Sequence, residues 1–178
     1  MARTAAGSED TDAEAIDAIA LLKADHRAVE ELFDAFDKAR RSDRKAKLVE
    51  QICTELKIHT TIEEEIFYPA VEPKIDDAIV LESYVEHDGA KVLINDLLAS
   101  TPKDRFYDAK VKVLSEEIRH HVQEEEKWLR GMFAQARRTD LDMTELGAKL
   151  AARKAELKRK AEKDGLPAAK PTAVKPKA

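Results

Sequence analysis

Apolar residues recur at alternating steps of three and four along four stretches of the chain, the spacing that puts one apolar stripe on an amphipathic helix. The first stripe reads Ile19, Leu22, His26, Val29, Phe33, Phe36, and the second Ile52, Leu56, His59, Glu63, Ile66, Ala70. The third reads Val80, Tyr84, His87, Lys91, Ile94, Leu98, and the fourth Val111, Leu114, Ile118, His121, Glu125, Trp128, Met132. Strand-like alternation is absent. Turn signals divide the stripes. The first helix is expected to run to about residue 40, and Ser42 or Asp43 can cap the second. Pro69 and Pro73 should close the second, and Asp76 or Asp77 can cap the third. Thr101, Pro102 and Asp104 look like a compact start for a fourth helix reaching about Ala136.

Four such helices with short connections predict an all-α, up-down-up-down four-helix bundle over residues 11–136, preceded by a disordered segment, 1–10. A further helix, 140–165, begins behind Asp140 or Asp142. It is basic on most faces, with a thin apolar stripe of Leu146, Leu150 and Leu157, and is expected to dock only loosely. The Lys/Pro/Ala tail, 166–178, offers nothing to bury and is expected to be disordered.

Each stripe carries one histidine, and two of them carry a glutamate one turn later. That is unusual, because a buried carboxylate is costly unless a cation meets it. One core-facing histidine is ordinarily a hydrogen-bonded polar residue. Four of the chain's five histidines on four seams, with Glu63 and Glu125 in matching register, point instead to metal ligands. Residues four apart share a helix face, so each His-x-x-x-Glu can offer an imidazole nitrogen and a carboxylate oxygen to one site. His26 and His59 are 33 residues apart and His87 and His121 are 34 apart, as in a helix pair used twice. Glu64 and Glu65 are expected to turn away from the core, and His120 lies off the stripe.

Charge sharpens the picture. The net charge of −5 conceals a basic excess of seven from Gly147 onward and an acidic excess of twelve before it, which argues against a nucleic-acid-binding body. The lone Cys53 excludes an intrachain disulfide and is expected to be an inert buried thiol; with no secretory pattern at the start, a cytoplasmic setting is expected. No apolar run approaches the roughly 20 residues of a membrane helix. A ferritin-like di-iron site needs Glu-x-x-His on two helices, and only Glu117 with His120 fits.

The constellation His26, His59-x-x-x-Glu63, His87 and His121-x-x-x-Glu125 resembles the hemerythrin-like (HHE cation-binding) family over roughly residues 15–135. The flanks agree: Leu22-Lys23-Ala24-Asp25 before the first histidine, Val85-Glu86 before the third, and Glu63-Glu64-Glu65-Ile66-Phe67-Tyr68-Pro69 in the second motif. The resemblance implies two iron ions bridged by Glu63 and Glu125, with an oxide or hydroxide between them. Lys91 stands where the oxygen-carrying hemerythrins place a further histidine, so two histidines remain for each iron. That leaves open coordination positions and favours reaction with hydrogen peroxide, dioxygen or nitric oxide, in a catalase-like or peroxidase-like role under oxidative stress, over oxygen transport. Tyr84 is expected first as a core aromatic, with a further ligand or a hydrogen bond to one as the alternative, and Lys91 either tilts toward bound peroxide or extends to solvent. The alternative is an iron or oxygen sensor, or an iron store, with the basic helix as its contact surface for a protein partner.

Overall fold

The computed structural model describes residues 16–174; the expected disordered segment 1–10 lies outside them. The regular elements of the described residues are all helices. α1 (Ala18–Lys38) and α2 (Ser42–Ile62) form one antiparallel pair, and α4 (Asp77–Leu98) and α5 (Tyr107–Glu126) the other. Between α2 and α4 lie a π-helical turn (Glu63–Phe67), the short α3 (Tyr68–Val71) and a 3-10 turn (Glu72–Lys74). After α5 come the short α6 (Met132–Ala136) and the long α7 (Met143–Asp164). None of these helices is long and apolar enough to cross a membrane.

The expected stripes of α1 and α5 face the core up to Glu125. Caps follow side-chain chemistry: Asp17 accepts from Ala20 N, Asp76 from Ala78 N, and Asp142 from Thr144 N and Glu145 N. α2 is different. Its N-cap is Arg41, without a side-chain bond; Ser42 and Asp43 lie inside the first turn, and the Asp43 carboxylate accepts from the Arg41 guanidinium. Asp104 does accept from Thr101 N, yet the chain only turns there, and α5 begins at Tyr107.

Pro69 does not close the second helix. The π-helical turn bonds Tyr68 N to Glu63 O, five residues back, and Pro69 falls in the first turn of the resumed helix, where a missing N–H is tolerated. The extra residue also advances the buried face by one position. Phe67, Tyr68 and Val71 are buried, while Ile66 and Ala70 are only half-buried. At the end of α4, Leu97 is buried in place of Leu98.

α5 stops at Glu126 rather than reaching Ala136. The chain doubles back onto the helix end so closely that a Cβ on Gly131 would lie 2.5 Å from the Glu125 carbonyl oxygen. Trp128, expected on the seam, is thrown out to 85% exposure, while Met132 and Phe133 return to the core.

α7 docks firmly, not loosely. Leu146, Leu150 and Leu157 are buried in a cluster with Ile58, Ile62, Phe67 and Tyr68, and Gly147 passes so close to the start of α1 that a Cβ would overlap the Ile16 carbonyl oxygen. Described tail residues are bound too. Asn95 exchanges hydrogen bonds with the Ala169 backbone, and Asp88 accepts from Thr172 N, Ala173 N and Val174 N. Leu166–Val174 thus strap the outside of α2 and α4, because polar groups on those helices supply what the tail's composition cannot bury. The bundle core falls into two apolar clusters, one at each end. The polar residues lie between them.

Candidate metal centre

All six residues of the sequence constellation meet in that middle layer, and all six are buried. His26 and His59 face each other Nε2 to Nε2 across 3.1 Å, and His87 and His121 do so across 3.2 Å. Glu63 Oε2 lies 3.1 Å from His59 Nε2 and 3.4 Å from His87 Nε2. Glu125 Oε2 lies 3.4 Å from His26 Nε2 and 3.6 Å from His121 Nε2. Each glutamate therefore touches one histidine of each pair.

The opposite ring nitrogens are held by acids. His26 Nδ1 donates to Glu126 Oε1 at 2.8 Å, His87 Nδ1 to Glu64 Oε1 at 2.9 Å, and His121 Nδ1 to Glu86 Oε2 at 2.8 Å. His59 Nδ1 has Asp25 Oδ2 opposite it at 3.7 Å, too far for a hydrogen bond. An acceptor on Nδ1 fixes the tautomer that leaves the Nε2 lone pair facing inward. In the His87–His121 pair lone pair then faces lone pair, His26 turns its lone pair toward His59 and Glu125, and Glu63 Oε1 and Glu125 Oε2 have no hydrogen-bond partner. A buried acceptor set of this kind is repulsive unless cations sit within it. Two nitrogens each about 2.1 Å from one ion and at right angles stand about 3.0 Å apart, close to the spacing in both pairs. The residues fit two cations.

The electrostatics agree. Burial disfavours charge on His59, yet Glu63 and Asp25 outweigh it and hold its pKa up at about 10. His26 and His87 are likewise raised against burial by their carboxylates, and Glu63 is held well below the usual carboxylate range by His59 and His87. Burial would raise Glu126 too, but His26, Arg27 and Lys23 bring it to about 2.

Several residues stand elsewhere than expected. Glu64 does not turn away; it is half-buried and holds His87. Glu65 does face outward, to Arg153 of α7. Lys91 neither reaches the centre nor extends to solvent. It is 4% exposed, with its ammonium on Glu64, Asp88 and Thr172. Tyr84 is half-buried, and its ring meets that of Tyr68 edge-on at 5.1 Å. The phenol at the centre is Tyr68, which donates to Glu125 Oε1 at 3.0 Å, with Glu63 Oε2 at 3.3 Å and His87 Nε2 at 3.2 Å. Its pKa is pushed well above the ordinary value by burial and then by Glu125 and Glu63, so it remains a donor. Sequence reading missed Tyr68 because the π-helical turn shifts its phase; the signal was an apolar run, Phe67, Tyr68 and Val71, one step out of register with the stripe before it. His120 is exposed and Cys53 buried, as expected, with the thiol pushed up to about 12 by burial.

On the side away from Tyr68, a cavity of about 10 Å³ lies against the four histidines, walled by Val29, Leu56, Ile118 and Val122.

Fold and centre define a helical bundle with a buried cluster of histidines and glutamates whose donor atoms could hold metal cations. Residues 17–133 match the Hemerythrin HHE cation binding domain, and the chain belongs to that family. A hemerythrin HHE cation binding domain-containing protein from Mycobacterium kansasii has the same fold, with a TM-score of 0.70 over 85% of this chain and 95% of that one at 23% identity. A curated protein of Nostoc sp. (strain PCC 7120 / SAG 25.82 / UTEX 2576), described as a DNA nickase, is 27% identical over 109 residues, 61% of this chain. The chain spans only 31% of that relative's length.

Proposed function

We propose that the protein binds two iron ions in this centre and reacts there with small oxidants, namely hydrogen peroxide, dioxygen or nitric oxide. The observation that carries the reading is the sharing of Glu63 and Glu125 between the two histidine pairs, the arrangement two adjacent ions need. Two nitrogens and two carboxylates per position satisfy a four-coordinate ion but leave openings on one that prefers five or six ligands, as iron does. Bound iron would supply the redox equivalents that peroxide or nitric oxide chemistry requires.

The chain's own residues do the rest. The imidazoles bind through Nε2, and Glu64, Glu86 and Glu126 hold the Nδ1 protons, keeping the rings oriented and electron-rich. Tyr68 donates to Glu125 and orients that carboxylate. A cavity of about 10 Å³ beside the histidines is at the threshold for holding one water molecule, so the space there favours small ligands over larger substrates. The DNA directed activity in the relative's name is not carried over, since the bundle before Gly147 is strongly acidic.

The sensor reading is favoured by one observation. α7 and the tail strap contact acids around the centre, Lys154 on Asp25 and Thr172 on Glu64, so a change of charge inside is felt at the surface. Metal analysis with ultraviolet-visible spectra before and after hydrogen peroxide separates the readings. About two irons per chain and sustained dioxygen release support turnover. A single stoichiometric change without gas supports sensing, and one zinc or no metal overturns both.

A further inference from the structure

Three of the four histidine rings are pinned at Nδ1; His59 is not. The acid opposite it, Asp25, is only 7% exposed, and its Oδ1 is taken by the Lys154 ammonium of α7. Asp25 Oδ2 and His59 Nδ1 are left 3.7 Å apart, each without a hydrogen-bond partner. Lys154 engages only one oxygen of Asp25, and His59 is the least tethered of the four.

Asp25 also stands at a boundary. It lines the small internal cavity against the histidines and, on its other side, a surface groove of about 900 Å³ between α1, α2 and the C-terminal half of α7. The groove carries Glu31, Glu50, Glu55 and Glu162 against Lys57, Lys154 and Lys158. Each lysine is engaged: Lys57 on the Leu166 carbonyl, Lys154 on Asp25, Lys158 on Glu55. Glu31, Glu50 and Glu162 make no ion pair among the described residues, so the groove presents negative charge to an approaching cation.

We propose that Asp25 is the transfer ligand through which divalent cations pass from this groove to the centre, with His59 as the swinging ring and Lys154 as the latch that keeps the passage shut. A cation arriving in the groove displaces the Lys154 ammonium from Asp25 and is held by the freed carboxylate. Rotation of the untethered His59 ring then brings it inside, where Glu63 and His26 complete its donors. Release retraces the same steps. The proposal rests on the metal-binding reading above. It adds a route, which affinity alone does not reveal.

A passage changes rates in both directions and leaves the equilibrium alone. The test follows cobalt(II) uptake by chelator-stripped full-length protein through visible absorption, and cobalt(II) loss to excess chelator. Lys154→Met keeps the side-chain bulk and removes the latch. Both rates should rise by about tenfold, the factor expected for losing one charge-assisted hydrogen bond, with the same cobalt content at saturation. Lys154→Arg should restore slow exchange, and Asp25→Asn should slow both directions. Equal rates in wild type, Lys154→Met and Asp25→Asn would overturn the route while leaving the metal centre intact. Faster loss without faster uptake in Lys154→Met would also overturn it, since that marks a weakened site rather than an opened path. If wild type takes up no cobalt, the metal reading itself fails. Melting of each stripped variant checks folding, and Asp25→Asn decides the question if Lys154→Met melts early.

Discussion

The Tyr68 hydroxyl donates to Glu125 Oε1 at 3.0 Å, which ties the α2–α3 arm to α5 through the carboxylate that serves both histidine pairs. With a pKa far above ordinary pH, Tyr68 keeps that proton. On the proposed di-iron function, Tyr68→Phe should therefore retain the metal content and the fold but let Glu125 reorient, lowering peroxide turnover by about tenfold, the usual scale for one lost hydrogen bond to a charged group. The check is metal content and initial rate of dioxygen release side by side. Tyr84→Phe is the matched control and should leave both unchanged.

Metal removal should cost stability. Ions bound only by the folded chain stabilise it by mass action, about 4 kcal/mol at a thousandfold excess over Kd. Chelation should lower Tm, and iron(II) added without oxygen should restore it. Glu63→Ala, which removes an oxygen from both pairs, should lower the metal content relative to wild type, on the proposed function from two ions to one or none, measured by elemental analysis.

The stripped protein should also show a defined pH profile. His59 is raised from 6.5 to about 10, so its ion pair with Glu63 contributes fully below pH 6.5 and is lost as pH rises through about 10. Glu63 is depressed below 4.5, so its share is present above that value and is lost as pH falls. Tm of the stripped protein should therefore peak between about pH 4.5 and 6.5 and decline toward pH 10. Loaded protein should lose the alkaline decline, because bound metal replaces the proton on His59. Melting curves across pH 4–10 test both profiles.

Docking of α7 depends on a close approach at Gly147. Gly147→Ala puts a methyl group into the Ile16 carbonyl and should destabilise by about 1–3 kcal/mol, the range for overpacking. Leu150→Ala should cost about 2–5 kcal/mol by cavity formation. Both should expose α7 to proteolysis before the bundle. Trp128→Ala, on a side chain 85% exposed, should change stability by no more than about 0.5 kcal/mol.

The periodicity of each helix is a local property, and it was enough to bring the six central side chains to the inside: His26 and His59 differ from their neighbours by position on a stripe, and Glu63 and Glu125 by a step of four. The same reading placed Trp128 wrongly. A single π-helical turn after Ile62 re-phases the arm through Val71, and a close return at Gly131 ends α5 eight residues after Ile118 puts its face inward; neither is a matter of apolar spacing.

Left to the tertiary structure were the partners of those six residues. Glu64, Glu86 and Glu126 read as ordinary surface acids in an acidic chain, and become ring-holding groups only because the relative rotation of neighbouring helices sets them within 3 Å of an imidazole. Lys154 and Thr172 lie more than eighty residues from the acids they bind. Spacing within one helix decides which side chains face inward, because the backbone repeats every 3.6 residues. Which groups they then meet depends on how separate helices and the tail are placed against one another, and no local repeat encodes that.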